Sequence, residues 1–209
     1  PSIAIQIYTI LDRTMLGVIA RDAFNTTFDG VQIFGASVFC NHDWAGAVAG
    51  TASLCVFKGV KVLGSDVTVY GIGAGSLVGA SNYSQYSDCI INATTRVFAD
   101  GRLVPDNAAY GGGLVGYSSS DDFVDCVNSG WVGAECDEVG GIVGHSFGSN
   151  FLRCVNYGTV IQCKEDVFIK LFHEENLGKK YNYRLDENQW AFWTIDIVIG
   201  VVLTAALWT

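Results

Sequence analysis

Positive charge, proline and histidine are all scarce in this chain. Twelve Lys and Arg stand against 21 Asp and Glu, a formal charge of −9. With no Lys/Arg-rich tract to offset that balance, the basic face that phosphate backbones require is excluded, and with it a nucleic-acid partner. Two prolines leave no room for a proline-rich linker. Only 16% of residues are charged while 50% are hydrophobic, the reverse of the composition that keeps chains disordered. The seven cysteines contain no Cys-x-x-Cys pair, so a zinc ribbon or thioredoxin-like site has no support. Three histidines, His42, His145 and His173, are too few and too scattered to suggest a metal site. The run His173-Glu174-Glu175-Asn176-Leu177 lacks the second histidine of a zinc-protease helix. The glycine runs at 71–79 and 111–116 lack the Lys-Ser/Thr of a phosphate loop. Neither a cofactor nor a serine-nucleophile elbow is expected.

What is abundant is glycine, 25 residues, and it recurs in register. Gly113-Leu114-Val115-Gly116 returns as Gly141-Ile142-Val143-Gly144, a step of 141 − 113 = 28 residues. Phe123 then aligns with Phe151, Cys126-Val127-Asn128 with Cys154-Val155-Asn156, Gly130 with Gly158 and Val132 with Val160. A looser copy starts at Ser76-Leu77-Val78-Gly79, with Tyr86 and Cys89 in the aromatic and cysteine positions. Last glycine and cysteine are 10 apart in all three (89 − 79, 126 − 116, 154 − 144). This copy departs downstream, with Ile91 in the Asn column, Ala93 in the Gly column and Thr95 in the Val column. A degenerate fourth copy is Ala47-Val48-Ala49-Gly50 with Cys55 as its cysteine, at shorter spacing.

A unit of this size cannot bury its own apolar face, but stacked neighbours share one core. Short apolar runs at 114–115, 123–127 and 131–132 read as three strands per unit. The fold class expected is therefore all-β, a β-helix or solenoid of roughly 28-residue coils. In that fold glycine would supply the left-handed corners. Asn128 and Asn156 would make a turn or a stacked amide ladder. The cysteine column would point inward, and two readings of it stand. Cysteine acts there as a small buried hydrophobe, or neighbouring coils are bridged, Cys126 to Cys154 or Cys136 to Cys163. An odd count leaves at least one thiol free, buried or paired with another chain.

Gly-Gly-Leu-Val-Gly followed by Asp-Cys-Val-Asn-Ser-Gly-Trp-Val, and Gly-Gly-Ile-Val-Gly followed by Arg-Cys-Val-Asn-Tyr-Gly-Thr-Val, resemble the GLUG-motif repeat. The resemblance is strong over 111–160 and weaker over 71–95. It implies a secreted or surface-attached, adhesin-like protein, and it carries no catalytic residues.

Three regions follow: a solenoid over 1–163 with its clearest repeats at 71–163, a charged cap or linker over 164–189, and an apolar tail over 190–209. Ile3, Ile5 and Ile7 alternate as one face of a strand, either the first of the stack or an edge that pairs with another molecule. The tail is long enough for a membrane span and has Trp190, Trp193 and Trp208 near its ends, yet it contains Asp196 and is rich in β-branched residues. Membrane helix and terminal assembly strand both remain open. The chain starts at Pro1 without a signal-peptide pattern, which reads as a processed product or a segment of something longer.

Asn25-Thr26-Thr27, Asn82-Tyr83-Ser84 and Asn92-Ala93-Thr94 are N-glycosylation acceptors. Asp121, Asp122, Asp125, Asp137 and Glu138 are the only carboxylates near enough in sequence for glycosidase-type chemistry, and a solvated face accounts for them. His145 reads as an outward turn residue. The function expected is a non-enzymatic extracellular structural or adhesive repeat protein, extending to a subunit of a glycosylated surface filament. Its expected partners are copies of itself or other surface proteins, with glycans a further class and membrane contact confined to 190–209. The rivals are a carbohydrate-active β-helix enzyme and a membrane-anchored ectodomain.

Overall fold

The computed structural model describes the backbone of residues 3–4 and 10–11, and residues 15–101, 109–135 and 138–163 in full. Among these every regular element is a β-strand of two to five residues. The strands form five parallel sheets of five or six strands, in which successive strands come from successive coils. The chain winds as a right-through stack, a parallel β-solenoid of five coils starting at Ala20, Ala49, Val78, Val115 and Val143. The register steps are 29, 29, 37 and 28 residues (49 − 20, 78 − 49, 115 − 78, 143 − 115).

Coils 1 to 4 each have five faces, and the described residues of coil 5 supply four, where three strands per unit had been expected. In coil 4 they are Val115–Ser119, Asp122–Val124, Val127–Asn128, Trp131–Ala134 and Glu138–Gly140. The apolar run 123–127 is broken because Asp125 turns the chain in the left-handed region, φ 54°. The fifth face escaped notice because it is made of residues such as Gly73-Ala74-Gly75, which lack the side chains that mark a strand.

The long third coil holds extra chain in two places. Five residues separate Ile91 from Arg96, where coil 2 needs four from Val62 to Asp66. Eleven separate Ala99 from Tyr110, where coil 2 needs four from Val69 to Gly73. Thr95 therefore lies beside Gly130, and Val97 fills the Val132 column that Thr95 was expected to hold. Cys55 was also misplaced. The residue paired with the Cys89 level in coil 2 is Val60, the neighbour of Lys61, which pairs with Ile90.

Inward columns run the length of the stack. Phe28, Phe57, Tyr86, Phe123 and Phe151 form a spine of parallel rings with centroids 4.6 to 5.0 Å apart, the spacing of the strands themselves. Val67, Val97 and Val132 stack on the fourth face, and Val31, Val60, Cys89, Cys126 and Cys154 on the corner before the third. Polar residues inside the coil have a defined task. The backbone N–H of Cys55 donates to Ser84 Oγ (3.1 Å), that of Ser84 to Asp121 Oδ1 (2.7 Å), and that of Asp121 to Ser149 Oγ (3.1 Å). A corner N–H that finds no carbonyl takes a side-chain oxygen from the next coil, as a buried donor must. Asn128 meets both expectations placed on it, accepting from Gly130 N (2.9 Å) to close a turn and donating to Asn156 Oδ1 (2.9 Å) as an amide ladder.

The repeated glycines are not the corners. Gly46, Gly75, Gly112 and Gly140 sit in strands at ordinary φ, where an added Cβ would lie 1.8 to 2.4 Å from a backbone carbonyl oxygen. Their role is close backbone approach across the narrow coil. Gly35 and Gly64 take left-handed corners in one column, and ten more fall in two others: Asn25, Leu54, Tyr83, Ser120 and Gly148, and Gly30, Gly59, Asp88, Asp125 and Arg153. Seven of these ten are not glycine, at a cost of roughly 1–2 kcal/mol each. The next coil holds them there: Leu54 N donates to Asn82 O (3.1 Å), Tyr83 N to Ser119 O (3.0 Å) and Asp125 N to Leu152 O (3.0 Å).

The isoleucine-rich start of the chain adds two short rungs, Ile3–Ala4 on the third face and Ile10–Leu11 on the fourth. The cap at 164–189 and the tail at 190–209 lie outside the described residues.

Candidate functional surface

An inward cysteine column limits what those thiols can do. Cys89 and Cys126 are fully buried. Cys126 Sγ donates to Val124 O (3.4 Å) and Tyr86 O (3.6 Å), and Cys89 Sγ to Ser87 O and Phe57 O (both 3.5 Å). The adjoining Cys89 thiol, reinforced by burial, pushes the Cys126 thiol far above its ordinary range, and burial raises Cys154 as well. Raised thiols are poor nucleophiles and poor metal ligands. Cys126 and Cys154 both stand as thiols in this structure. The other expected bridge includes Cys136, which lies outside the described residues. Cys163 is buried.

The acidic residues do not converge. Asp121 is fully buried, where a solvated position had been expected. It accepts from Ser84 N (2.7 Å) and from Ser118 Oγ (2.6 Å), and burial pushes its carboxyl above the usual range. Asp122 faces outward and accepts from Asn150 Nδ2 (2.9 Å). Asp125 takes a two-pronged ion pair from Arg153 one coil away (both contacts 2.6 Å), which holds its carboxyl below the usual range. Asp137 is outside the described residues. A side chain that starts beside Asp122 thus points to the opposite side of the sheet, which is the strand alternation acting on neighbours in sequence.

One Gly-x-Ser-x-Gly spacing does occur, Gly144-His145-Ser146-Phe147-Gly148, against the expectation of none. It lies on the strand Val143–Phe147, which continues the ladder from Val115–Ser119. A nucleophile elbow needs a strand-to-helix turn. Here the backbone runs straight, and Ser146 and His145 point to opposite faces.

The three acceptor asparagines occupy two environments. Asn25 and Asn82 are exposed, at the corner between the first and second faces. Asn92 is half-buried, and both ends of its amide are engaged. Its Oδ1 accepts from Gly64 N (2.9 Å) and Thr95 Oγ1 (2.8 Å), and its Nδ2 donates to Thr94 Oγ1 (2.8 Å).

A fourth feature was not foreseen. Trp44, Tyr110, Tyr117 and His145 gather on the outside where the fifth face meets the first. Ring centroids lie 6.1 Å apart for Trp44–Tyr110, 5.9 Å for Trp44–Tyr117, 5.6 Å for Tyr110–Tyr117 and 5.3 Å for Tyr117–His145. The indole fills the space that Gly73 leaves, its six-membered ring 2.4 Å from where a Cβ would stand. Glu138 contacts His145 Nδ1 at the margin. All five are half-exposed, and residues 94 positions apart in the chain (138 − 44) share one patch only because the coils are stacked. His145 is outward as expected, but on a strand rather than a turn. The alignment of His145 with Tyr117 was visible in the repeat; Trp44 and Tyr110 were not, because their fifth-face strands were missed.

The chain matches no family profile, no curated protein and no solved structure.

Proposed function

We propose that the chain is a non-enzymatic, extracellular structural or adhesive repeat module, whose stacked coils form a rigid shaft and whose Trp44–Tyr110–Tyr117–His145 cluster is the contact face. The observation that carries this is the cluster itself: large aromatic side chains left half-exposed on a scaffold whose interior is filled by other aromatics. Aromatic groups with a polar edge dominate the energetics of contact surfaces, and a solenoid supplies extended surface in preference to a deep pocket. The resemblance of 111–160 to GLUG-motif repeats supports the same assignment. The partners this face suits are surface proteins, a second copy of the chain, or glycans.

The test is retention of cells or matrix polysaccharide on the immobilised chain. A Trp44→Ala/Tyr117→Ala double variant that keeps its β-sheet circular dichroism should lose most retention, about tenfold for one good aromatic contact. Unchanged retention would remove the cluster from the function. Turnover of any polysaccharide in the same assay would replace the adhesive reading with the enzymatic one.

The filament version draws on a separate observation, the last coil among the described residues, where Tyr157 is 76% and Phe151 46% exposed. A head-to-tail contact that does not close propagates into a fibre. Strictly monomeric particles in electron micrographs at high concentration would sink it.

A further inference from the structure

We infer that Asn25 and Asn82 carry N-linked glycans, that Asn92 does not, and that the two glycans cover an apolar ridge formed by Phe24, Leu54 and Tyr83. The inference rests on the extracellular assignment and adds to it a use for the corner between the first and second faces, which adjoins the aromatic cluster along the first face.

The ridge needs a covering. Phe24 is 69%, Leu54 51% and Tyr83 64% exposed, on three successive coils. Leu54 and Tyr83 share one left-handed column with Asn25, and Phe24 precedes Asn25 directly. Leu54 and Tyr83 are held at their corners by N–H bonds to carbonyls of the next coil, and Phe24 faces outward at the end of the strand Ala20–Phe24. Acceptor asparagines stand at both ends of the ridge, Asn25 beside Phe24 in coil 1 and Asn82 beside Tyr83 in coil 3. Two coils separate them, about 10 Å at ~4.8 Å per strand, so one branched oligosaccharide at each end spans the interval. The occupant is the chain's own sugar.

In the transfer step the Nδ2 of asparagine bonds to the anomeric carbon of a lipid-pyrophosphate-linked oligosaccharide. The anomeric C–O bond breaks, the lipid pyrophosphate leaves with that electron pair, and one amide proton is lost. Transfer acts on the extended chain, so the folded coil decides which products are tolerated. Asn25 and Asn82 project into solvent and accept the addition without rearrangement. At Asn92 the half-buried amide is held in orientation by Gly64, Thr94 and Thr95, and a sugar on its nitrogen would crowd that corner of coil 3. Chains modified there would fail to close the coil.

The experiment is secretion of the full chain from a eukaryotic host behind a cleavable leader, followed by glycopeptide mass spectrometry of the folded material. The host supplies the compartment, so the outcome is separable from the adhesive reading, which the retention assay tests alone. Occupancy should be high at Asn25 and Asn82 and under about a tenth of molecules at Asn92. Occupancy of Asn92 equal to that of Asn82, or empty Asn25 and Asn82, overturns the inference. Enzymatic removal of the glycans from folded protein should raise apolar-dye fluorescence severalfold. Leu54→Asn with Tyr83→Asn should cut that rise to the part Phe24 contributes, asparagine being tolerated at left-handed φ. Dye binding that is indifferent to deglycosylation overturns the covering role.

Discussion

Coils 4 and 5 carry nearly the same motif and live in different environments. Leu114 and Val115 are fully buried, while their counterparts Ile142 and Val143 are half-buried. Phe123 is 1% exposed and Phe151 46%. Asn128 is buried and Asn156 exposed. Register and identity are shared, so the difference comes from the neighbours: coil 4 is covered on both sides and coil 5, among the described residues, on one. A residue's worth in this fold is set by the coil stacked on it, as nearest-neighbour accounts of repeat proteins require. Burial written into the motif is only a capacity, realised when the next coil arrives.

That comparison is most directly broken at the aromatic spine. Phe123→Ala should cost about 3–5 kcal/mol, the range for deleting a buried ring and leaving a cavity. Phe151→Ala should cost less than about half of that, because one of its faces is already bare. Urea unfolding of the two variants measures both. Equal losses would mean that another surface covers Phe151, and the two coils would be equivalent after all. The amide ladder sharpens the point with a smaller effect. Asn128→Ala strips Gly130 N and Asn156 Oδ1 of their buried partner and should cost about 1–3 kcal/mol. Asn156→Ala acts where water can substitute and should cost under about 1 kcal/mol.

The same contrast shows what could be read from the amino acids. Phe123–Phe151, Cys126–Cys154, Asn128–Asn156 and Val132–Val160 were paired correctly, because two copies of equal length keep every column in step. Coil 1 was invisible: Arg21 replaces the glycine of later copies and Phe24 the small polar residue of coils 2 to 4, although the backbone there pairs in the same register. Cys55 was misassigned because identity was matched before spacing; it belongs with Ser84, Asp121 and Ser149, which hold corner N–H groups and share little chemistry with a thiol. Asp121 could not be told from Asp122 by composition. Only the strand alternation, with a corner falling between Ser119 and Asp122, sends one inward and the other out. The aromatic cluster needed all five faces to be known, and a face of glycine and alanine has no pattern to announce it.

Asp121 and its counterpart Ser149 separate the coils by pH. Burial places the folded-state pKa of Asp121 above the unfolded value of ~3.9, so the folded chain binds this proton more tightly than the unfolded one. Its contribution to stability is full at low pH, and it declines as pH rises through the folded-state value. Asp121→Asn keeps an acceptor for Ser84 N and removes the titration, its Nδ2 donating to Ser118 Oγ while that hydroxyl turns its hydrogen to Ser149 Oγ. The stability gap between variant and wild type should therefore widen as pH climbs from the carboxylate range towards neutrality. Ser149→Ala, which removes a group that does not ionise, should shift stability by the same amount at every pH. A gap for Asp121→Asn that is flat with pH would mean the carboxyl is hydrated in solution and coil 4 is not sealed.

The smallest effect is expected where the two coils touch through solvent. Arg153 of coil 5 pairs with Asp125 of coil 4 through two 2.6 Å contacts, and both residues hold left-handed corners, φ 52° and 54°. Exposed pairs gain little, because water screens them and two long side chains must be held still. Gly30 and Gly59 occupy the same corner in coils 1 and 2, so Arg153→Gly removes a left-handed penalty while it removes the pair. The two changes oppose each other, and the thermal midpoint should not move resolvably, in low salt or in high. A fall as large as that of Asn156→Ala, present at low salt and gone at high, would show that charge and not stacking secures the last coil. The difference between coils 4 and 5 would then need an electrostatic term that the covered-neighbour argument leaves out.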